Sequence, residues 1–183
     1  NLLGRLENLD VWAHYHQAIG SIANQGWGRE AMAEARSQLQ KSIALDPAFG
    51  LGHAQYALLT ALSMNMGLLP DGVDLVGDAL GAANRAIELD NGSSEVLGYA
   101  GCALCDLGQH ARGVEAIHQA LEINPSNAQA HVALGASWVL TGNLEAGIER
   151  MRVGMKLSPR DRRLGFRGWA LAGVIPGFIT RAS

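Results

Sequence analysis

The chain has few of the residues that mark a secreted, membrane-spanning or nucleic-acid-binding protein. Only two of its 183 residues are cysteines, Cys102 and Cys105, too few for a disulfide framework and consistent with a reducing compartment. A formal net charge of -3 gives no basic excess for nucleic acid. The longest apolar stretch, Gly168 to Ile179, contains Pro176 and is shorter than the roughly 20 residues that cross a bilayer. We therefore expect a cytoplasmic protein that binds neither nucleic acid nor membrane.

An initiator methionine and an N-terminal leader are also lacking. The chain begins at Asn1, and no charged segment precedes an apolar one there. From this start we expect a fragment of a longer protein. Its 48% hydrophobic residues are enough to build a core.

No pattern of residues predicts catalysis, a cofactor or a metal. The 23 glycines are scattered, and neither a Walker sequence nor a Gly-x-Gly-x-x-Gly after a strand occurs. His110 and His118 have no neighbouring Ser, Cys or carboxylate in the arrangement of a nucleophilic triad. The pair Cys102 and Cys105 falls within a predicted helix, and there is no second pair to complete a zinc site. We expect no enzyme activity in this chain.

What the chain does have is internal repetition. Leu-Asp-Asn at 89–91, Ile-Asn-Pro at 123–125 and Leu-Ser-Pro at 157–159 are each 34 residues apart. Each unit shows an apolar helical stretch, a break at Gly108 or Gly142, an amphipathic stretch and a stop. A period of this length is typical of stacked helical hairpins, so the sequence predicts an all-α chain of antiparallel hairpins.

Residues 94–127 align with residues 128–161 without a gap, and glycines recur at two places. Gly101 and Gly135 lie in the first helices, and Gly113 and Gly147 lie in the second helices. Small residues there allow the two helices of a hairpin to approach closely. Because glycine lowers helix stability by about 0.5–1 kcal/mol relative to alanine, we expect Gly113→Ala to raise the melting midpoint.

These features resemble the tetratricopeptide repeat, whose 34-residue unit has small residues at positions eight and twenty, alanine at twenty-seven and proline at thirty-two. Residues 94–127 carry all four features, and residues 128–161 carry three, with Gly154 in place of the alanine. The resemblance implies a right-handed α-solenoid that forms a single domain over residues 1–183. Its repeats span about 9–49, 50–93, 94–127 and 128–161, with a terminal helix from 162. The first two units are overlong, with extra residues near 21–29 and 65–76.

In the tetratricopeptide family the first helix of each pair lines the concave side, where partners bind. Carrying these positions over predicts a small, mostly apolar groove that receives a protein or peptide, so that the chain acts as an interaction scaffold. The predicted lining comprises Leu51, Ala54, Leu58, Ala61, Glu95, Gly98, Cys102, Cys105, Gln129, Val132, Ala136 and Val139. The Lys, Arg and Asn residues with which co-chaperone members hold a C-terminal carboxylate are absent from these positions.

A second hypothesis comes from the run that begins LDVWAHYHQAI and continues through IALDPAFGLGHAQYALL. It resembles the repeat region that follows the catalytic domain of some bacterial class III adenylate cyclase-like proteins, or the winged helix of some transcriptional regulators. This likeness implies a regulatory or self-association module of a larger protein. The apolar residues of Arg162 to Ile179 exceed what a solvated cap needs. We expect that segment to pack on the 144–157 helix and against a second copy, which gives a homodimer, or against a downstream segment.

If the two cysteines only pack among the helices, replacing both with alanine leaves metal content at zero and the helical signal essentially unchanged. Elemental analysis and circular dichroism of protein purified without added metal check this expectation. Stoichiometric zinc in the unsubstituted chain would contradict it.

Overall fold

The computed structural model describes residues 2–161, with side chains from residue 9 onward, and this part of the chain consists of helices joined by turns. The helices are α1 (Leu2–Gln25), α2 (Arg29–Leu45), α3 (Gly50–Asn65), α4 (Val76–Leu89), α5 (Ser94–Asp106), α6 (His110–Ile123), α7 (Ala128–Leu140) and α8 (Leu144–Leu157).

The helices pair in sequence and the pairs stack. Each odd-numbered helix packs against the even-numbered helix that follows it, which forms four hairpins. Between hairpins, α3 packs on α5 and α5 on α7, and each of the second helices α2, α4 and α6 contacts the first helix of the next hairpin. The structure confirms the predicted all-α, tetratricopeptide-type solenoid.

Glycines end the first helices of the last three hairpins. Gly67, Gly108 and Gly142 have φ of +65°, +82° and +93°, a left-handed conformation that glycine adopts without a steric penalty. The next amide then reaches back to a carbonyl of the helix, as in Gln109 N to Leu104 O at 2.8 Å and Asn143 N to Trp138 O at 2.8 Å. This closure satisfies carbonyls that the helix end leaves open and turns the chain into the second helix.

In the third and fourth hairpins, the two helices touch through their backbones at paired glycines. A Cβ built on Gly113 would lie 2.5 Å from Cys105 Sγ and 2.6 Å from the carbonyl oxygen of Gly101. In the last hairpin, a Cβ on Gly147 would lie 2.7 Å from the carbonyl oxygen of Gly135. The expected stabilisation by Gly113→Ala is therefore wrong. The gain in helix propensity is smaller than the cost of forcing two backbones apart.

Extra residues in the first two units are placed side by side. In the second hairpin they form the loop 66–75 between α3 and α4, and in the first hairpin they lengthen the helices around the turn at 26–28. Arg29, the first residue of α2, donates to the carbonyl oxygens of Leu68 at 3.0 Å, Leu69 at 2.8 Å and Gly67 at 3.2 Å. One guanidinium therefore holds the loop against the first hairpin.

The expected packing of residues 162–179 on α8 or on a second copy lies outside the described residues. Within the part that is described, no helix combines the length and hydrophobicity needed to span a bilayer.

Two matched substitutions distinguish close-packed from open glycines. Gly113→Ala is expected to lower the free energy of unfolding by about 1–3 kcal/mol, the range for overpacking. Gly81→Ala, on α4, meets nothing within 4 Å and is expected to raise it by about 0.5–1 kcal/mol. Urea unfolding followed by circular dichroism measures both changes. Equal shifts for the two variants would show that the backbone contact does not limit the hairpin.

Candidate peptide-binding site

The twelve groove residues predicted from the sequence all lie on the first helices α3, α5 and α7. Glu95 is exposed, and Leu51, Gln129 and Val139 are half-buried. The remaining eight are buried, namely Ala54, Leu58, Ala61, Gly98, Cys102, Cys105, Val132 and Ala136. The accessible part of the predicted surface is therefore confined to a few positions.

Three of these residues face the second helix of their own hairpin. Cys105 packs against Gly113, and the side chain of Val139 contacts Gly147 in the same way. Val132 Cγ2 would lie 2.7 Å from a Cβ on Gly154. The side chains of these three residues therefore pack against α6 and α8.

Two others lie where α5 meets α7. A Cβ on Gly98 would lie 3.1 Å from Asn127 Nδ2, and Gln129 Nε2 lies 3.5 Å from Cys102 Sγ. The absence of a side chain at Gly98 and the small thiol at Cys102 let the third and fourth hairpins approach. Gly98 and Cys102 therefore determine how closely α5 and α7 pack. They offer a ligand few polar groups.

At one end of this junction the chain forms a pocket of about 410 Å³. Glu95 and Gln129 are the two sequence-predicted residues in it. Its lining comprises Ser93, Glu95, Tyr99, Asn124, Asn127, Ala128, Gln129 and Asp161. Sequence reasoning missed most of this lining, because turn residues from three separate loops meet here. The one usable signal was the run of Ser and Asn just before α5 and α7, which is typical of helix N-caps.

Asn127 holds the pocket together. Its Oδ1 accepts from Ala130 N at 2.9 Å and caps α7, while its Nδ2 donates to Ser94 O at 2.9 Å and Ser94 Oγ at 2.8 Å. Ser94 Oγ in turn donates to Ala120 O at 2.7 Å. This buried chain of hydrogen bonds joins α5, α6 and α7. Asn127 is therefore a structural residue that helps to position Glu95 and Gln129.

A second groove, of about 490 Å³, lies between α2 and α4 on the other layer of helices. His53 and Tyr56 of α3 line it, and both already have partners. His53 Nε2 donates to Pro47 O at 3.0 Å, and Gln40 Nε2 donates to Tyr56 Oη at 3.3 Å. The ring nitrogen of His53 and the hydroxyl of Tyr56 are thus already engaged in hydrogen bonds within the fold.

Metal-ligating side chains do not cluster in the described part of the chain. Among residues 2–161 no group of three or more His, Cys, Asp or Glu is placed to hold a metal ion. Burial lowers the pKa of the Arg36 guanidinium, against an opposing effect of Tyr56. Arg36 donates to Ser63 Oγ at 2.6 Å, which joins α2 to α3 away from the pocket. The site offers hydrogen bonds and charge for binding.

Among comparisons with known proteins, only those with solved structures find similar proteins. No protein-family model matches the chain, and no curated protein matches it. Among solved structures it is similar to pilF of Pseudomonas aeruginosa, with 16% identity and a TM-score of 0.57 over 92% of this chain and 70% of that chain. It is also similar to MamA, with 19% identity and a TM-score of 0.50 over 94% and 86% of the two chains. A mutant O-GlcNAc transferase of Thermobaculum terrenum matches at 19% identity and a TM-score of 0.57, over 82% of this chain and 26% of its own. These likenesses show a tetratricopeptide-type fold.

The hydrogen bonds of Asn127 and Ser93 predict different losses of stability when each residue is replaced. Asn127→Ala removes a cap and leaves the buried Ser94 without its donor, so the free energy of unfolding should fall by about 2–3 kcal/mol. Ser93→Ala removes only the cap bond to Val96 N and should cost about 1 kcal/mol. Chemical denaturation of both variants measures the difference. Equal losses would mean that the bridge between hairpins adds nothing to the cap.

Proposed function

We propose that the chain is a scaffold that binds a polypeptide segment along the face of its first helices, with the pocket between α5 and α7 as the polar anchor. The observation that carries this proposal is that Glu95 and Gln129 line the same pocket, together with Tyr99. Asn127 bonds to Ser94 and Ala130, which adjoin these two residues in sequence, and so fixes the helix ends that carry them.

A row of three equivalent residues suggests what such a segment looks like. Leu51 is the second residue of α3, Glu95 of α5 and Gln129 of α7. These three residues therefore follow one another along the stack of first helices. Neighbouring helices pack about 8–10 Å apart, which is about three residues of extended chain. The row therefore matches a segment with an apolar residue, a basic residue about three positions along, and a polar group about three positions further.

Each member of the row offers a different interaction. The exposed Glu95 carboxylate attracts Lys or Arg and accepts backbone N–H groups. The Gln129 amide both donates and accepts, which suits the backbone of an extended chain. Leu51 supplies apolar contact. A rim charge of this kind affects selectivity and the rate of association more than total affinity.

The proposed role is binding, without catalysis by this chain itself; a larger parent protein could carry a separate catalytic domain. The O-GlcNAc transferase match covers 26% of that enzyme's chain, so it concerns one part of a larger protein. A location in the cytoplasm is likewise part of the proposal and rests on the scarcity of cysteine in the sequence.

The regulatory alternative remains a separate proposal. A self-association module of a larger signalling enzyme or transcriptional regulator rests on the sequence resemblance alone. The homodimer contact that it uses, residues 162–179, lies outside the described part of the chain.

Selection from a displayed peptide library, followed by calorimetry with the selected peptides, tests the scaffold proposal. Peptides with a basic residue beside apolar ones are expected, and Glu95→Lys should weaken their binding by about tenfold or more, the scale of 1.4 kcal/mol. Glu115→Lys is the control, because it makes the same charge change on an exposed position of α6. Equal effects of the two variants would show that net charge, and not the pocket, selects the peptide.

A further inference from the structure

The groove between α2 and α4 is lined mainly by small and apolar residues. Both helices pack on α3, and the space between them has a volume of about 490 Å³. Ile43 and Ala44 line it from α2, Ala82 lines it from α4, and the buried Tyr56 of α3 lies between them. No helix of the described part of the chain fills this space. The groove is therefore a surface on which another helix can pack.

Two glycines widen the groove and weaken α4. Gly77 and Gly81 line it, are exposed, and lie about one helical turn apart on the same side of α4. A Cβ at either position would meet nothing within 4 Å, so the packing of the described chain does not require glycine there. Glycine lowers the stability of a helix relative to alanine. What the two glycines allow is the close approach of another backbone.

The equivalent positions in later hairpins show what an exposed second helix carries. Gly81 corresponds to Glu115 in α6 and to Glu149 in α8, which follow it at intervals of 34 residues. Both glutamates are exposed, as expected on the solvated face of a surface helix. Helix α4 therefore departs from the pattern of its own repeat at the place where the groove lies.

Two opposite charges flank this place. Asp78 and Arg85 line the groove and are seven residues apart, which puts them on one side of α4 about 10.5 Å apart along its axis. Arg85 forms an ion pair with Glu88 at 3.4 Å, but both side chains are more than half exposed, so the pair contributes little. Asp78 is exposed and takes part in no ion pair among the described residues. Both charges are available to an incoming helix.

We propose that the groove binds α4 of a second copy of this chain, in antiparallel orientation. A two-fold axis then places Asp78 opposite Arg85 of the second copy, and Arg85 opposite Asp78 of the second copy. A parallel orientation would instead bring like charges together. The axis passes between Gly81 and Ala82, where side chains are smallest and the two helices can approach most closely. Each α4 thereby fills the groove of the other copy.

This contact is separate from the proposed peptide site. The groove lies between second helices, whereas the pocket lies where α5 meets α7. Two copies joined through α4 therefore carry two pockets, and a partner with two suitable segments binds with higher avidity than one with a single segment. The gain in avidity rests on the proposed function, whereas the association of two copies does not.

Sedimentation equilibrium of the full chain at micromolar concentrations tests the association, and we expect monomers and dimers in equilibrium. Asp78→Arg and Arg85→Asp each create two contacts between like charges and should weaken the dimer by about tenfold or more. The double variant exchanges the two charges, so its dissociation constant should return to within about threefold of the native value. Glu122→Arg, at an exposed position of α6, makes the same charge change as Asp78→Arg and should have no effect.

Three results would overturn the proposal. The native chain stays monomeric, the single variants dimerise as well as the native chain, or the double variant associates as weakly as the single ones. Circular dichroism establishes that each variant is folded. Should a charge variant fail to fold, a crosslink between two copies decides.

Disulfide formation near the two-fold axis provides that crosslink and leaves the charges unchanged. Gly81→Cys brings a thiol of each copy to the axis, and oxidation should yield covalent dimers, because a disulfide forms only where two Cα atoms lie about 4.4–6.8 Å apart. Glu115→Cys is the matched control at the equivalent position of α6 and should stay uncrosslinked. Cys102 and Cys105 are buried and are present in both variants. Equal crosslinking of the two variants, or none at position 81, contradicts the antiparallel contact.

Discussion

The structure depends on one close contact, the approach of two helix backbones at paired glycines. Where Gly101 meets Gly113, and Gly135 meets Gly147, no side chain separates the helices. In the third and fourth hairpins the first helix therefore sits deep against the second. Small side chains then suffice to fill the junction between neighbouring first helices. A wider hairpin would need larger residues on these helices to fill the same space.

Hydrogen bonds between neighbouring hairpins add to this close packing. Once hairpins are this tight, their turns come close enough for Asn127 and Ser94 to share hydrogen bonds that join the third and fourth units. The buried amide and hydroxyl have full sets of partners, which makes the register of the two hairpins specific. The same turns supply most of the pocket lining. Packing and the candidate site therefore have one origin, the sequence just before each first helix.

Much of the fold was predictable from sequence, since period, glycine breaks and prolines each act locally along the chain. The repeat identified the hairpins, and Gly108 and Gly142 end their helices as expected. The sign of Gly113→Ala was not predictable, because spacing shows that a small residue is needed but not how near the opposing backbone lies. Cys105 and Val139 were assigned to the groove from their repeat positions. Their contacts with Gly113 and Gly147 depend on helix rotation, which repeat position alone does not fix.

Arg29 gives the chain an internal asymmetry. Arg29 of the first hairpin donates hydrogen bonds to the loop 66–75. The contact between the first two hairpins therefore depends on a loop that belongs to the second hairpin. The 34-residue units at the other end lack such a loop and align with each other without a gap. Duplication of a unit there would lengthen the array at little cost in fit, whereas a unit inserted between the first two hairpins would separate the arginine from its loop. We therefore expect such an array to gain repeats by duplication in its C-terminal half, and not between its first two hairpins.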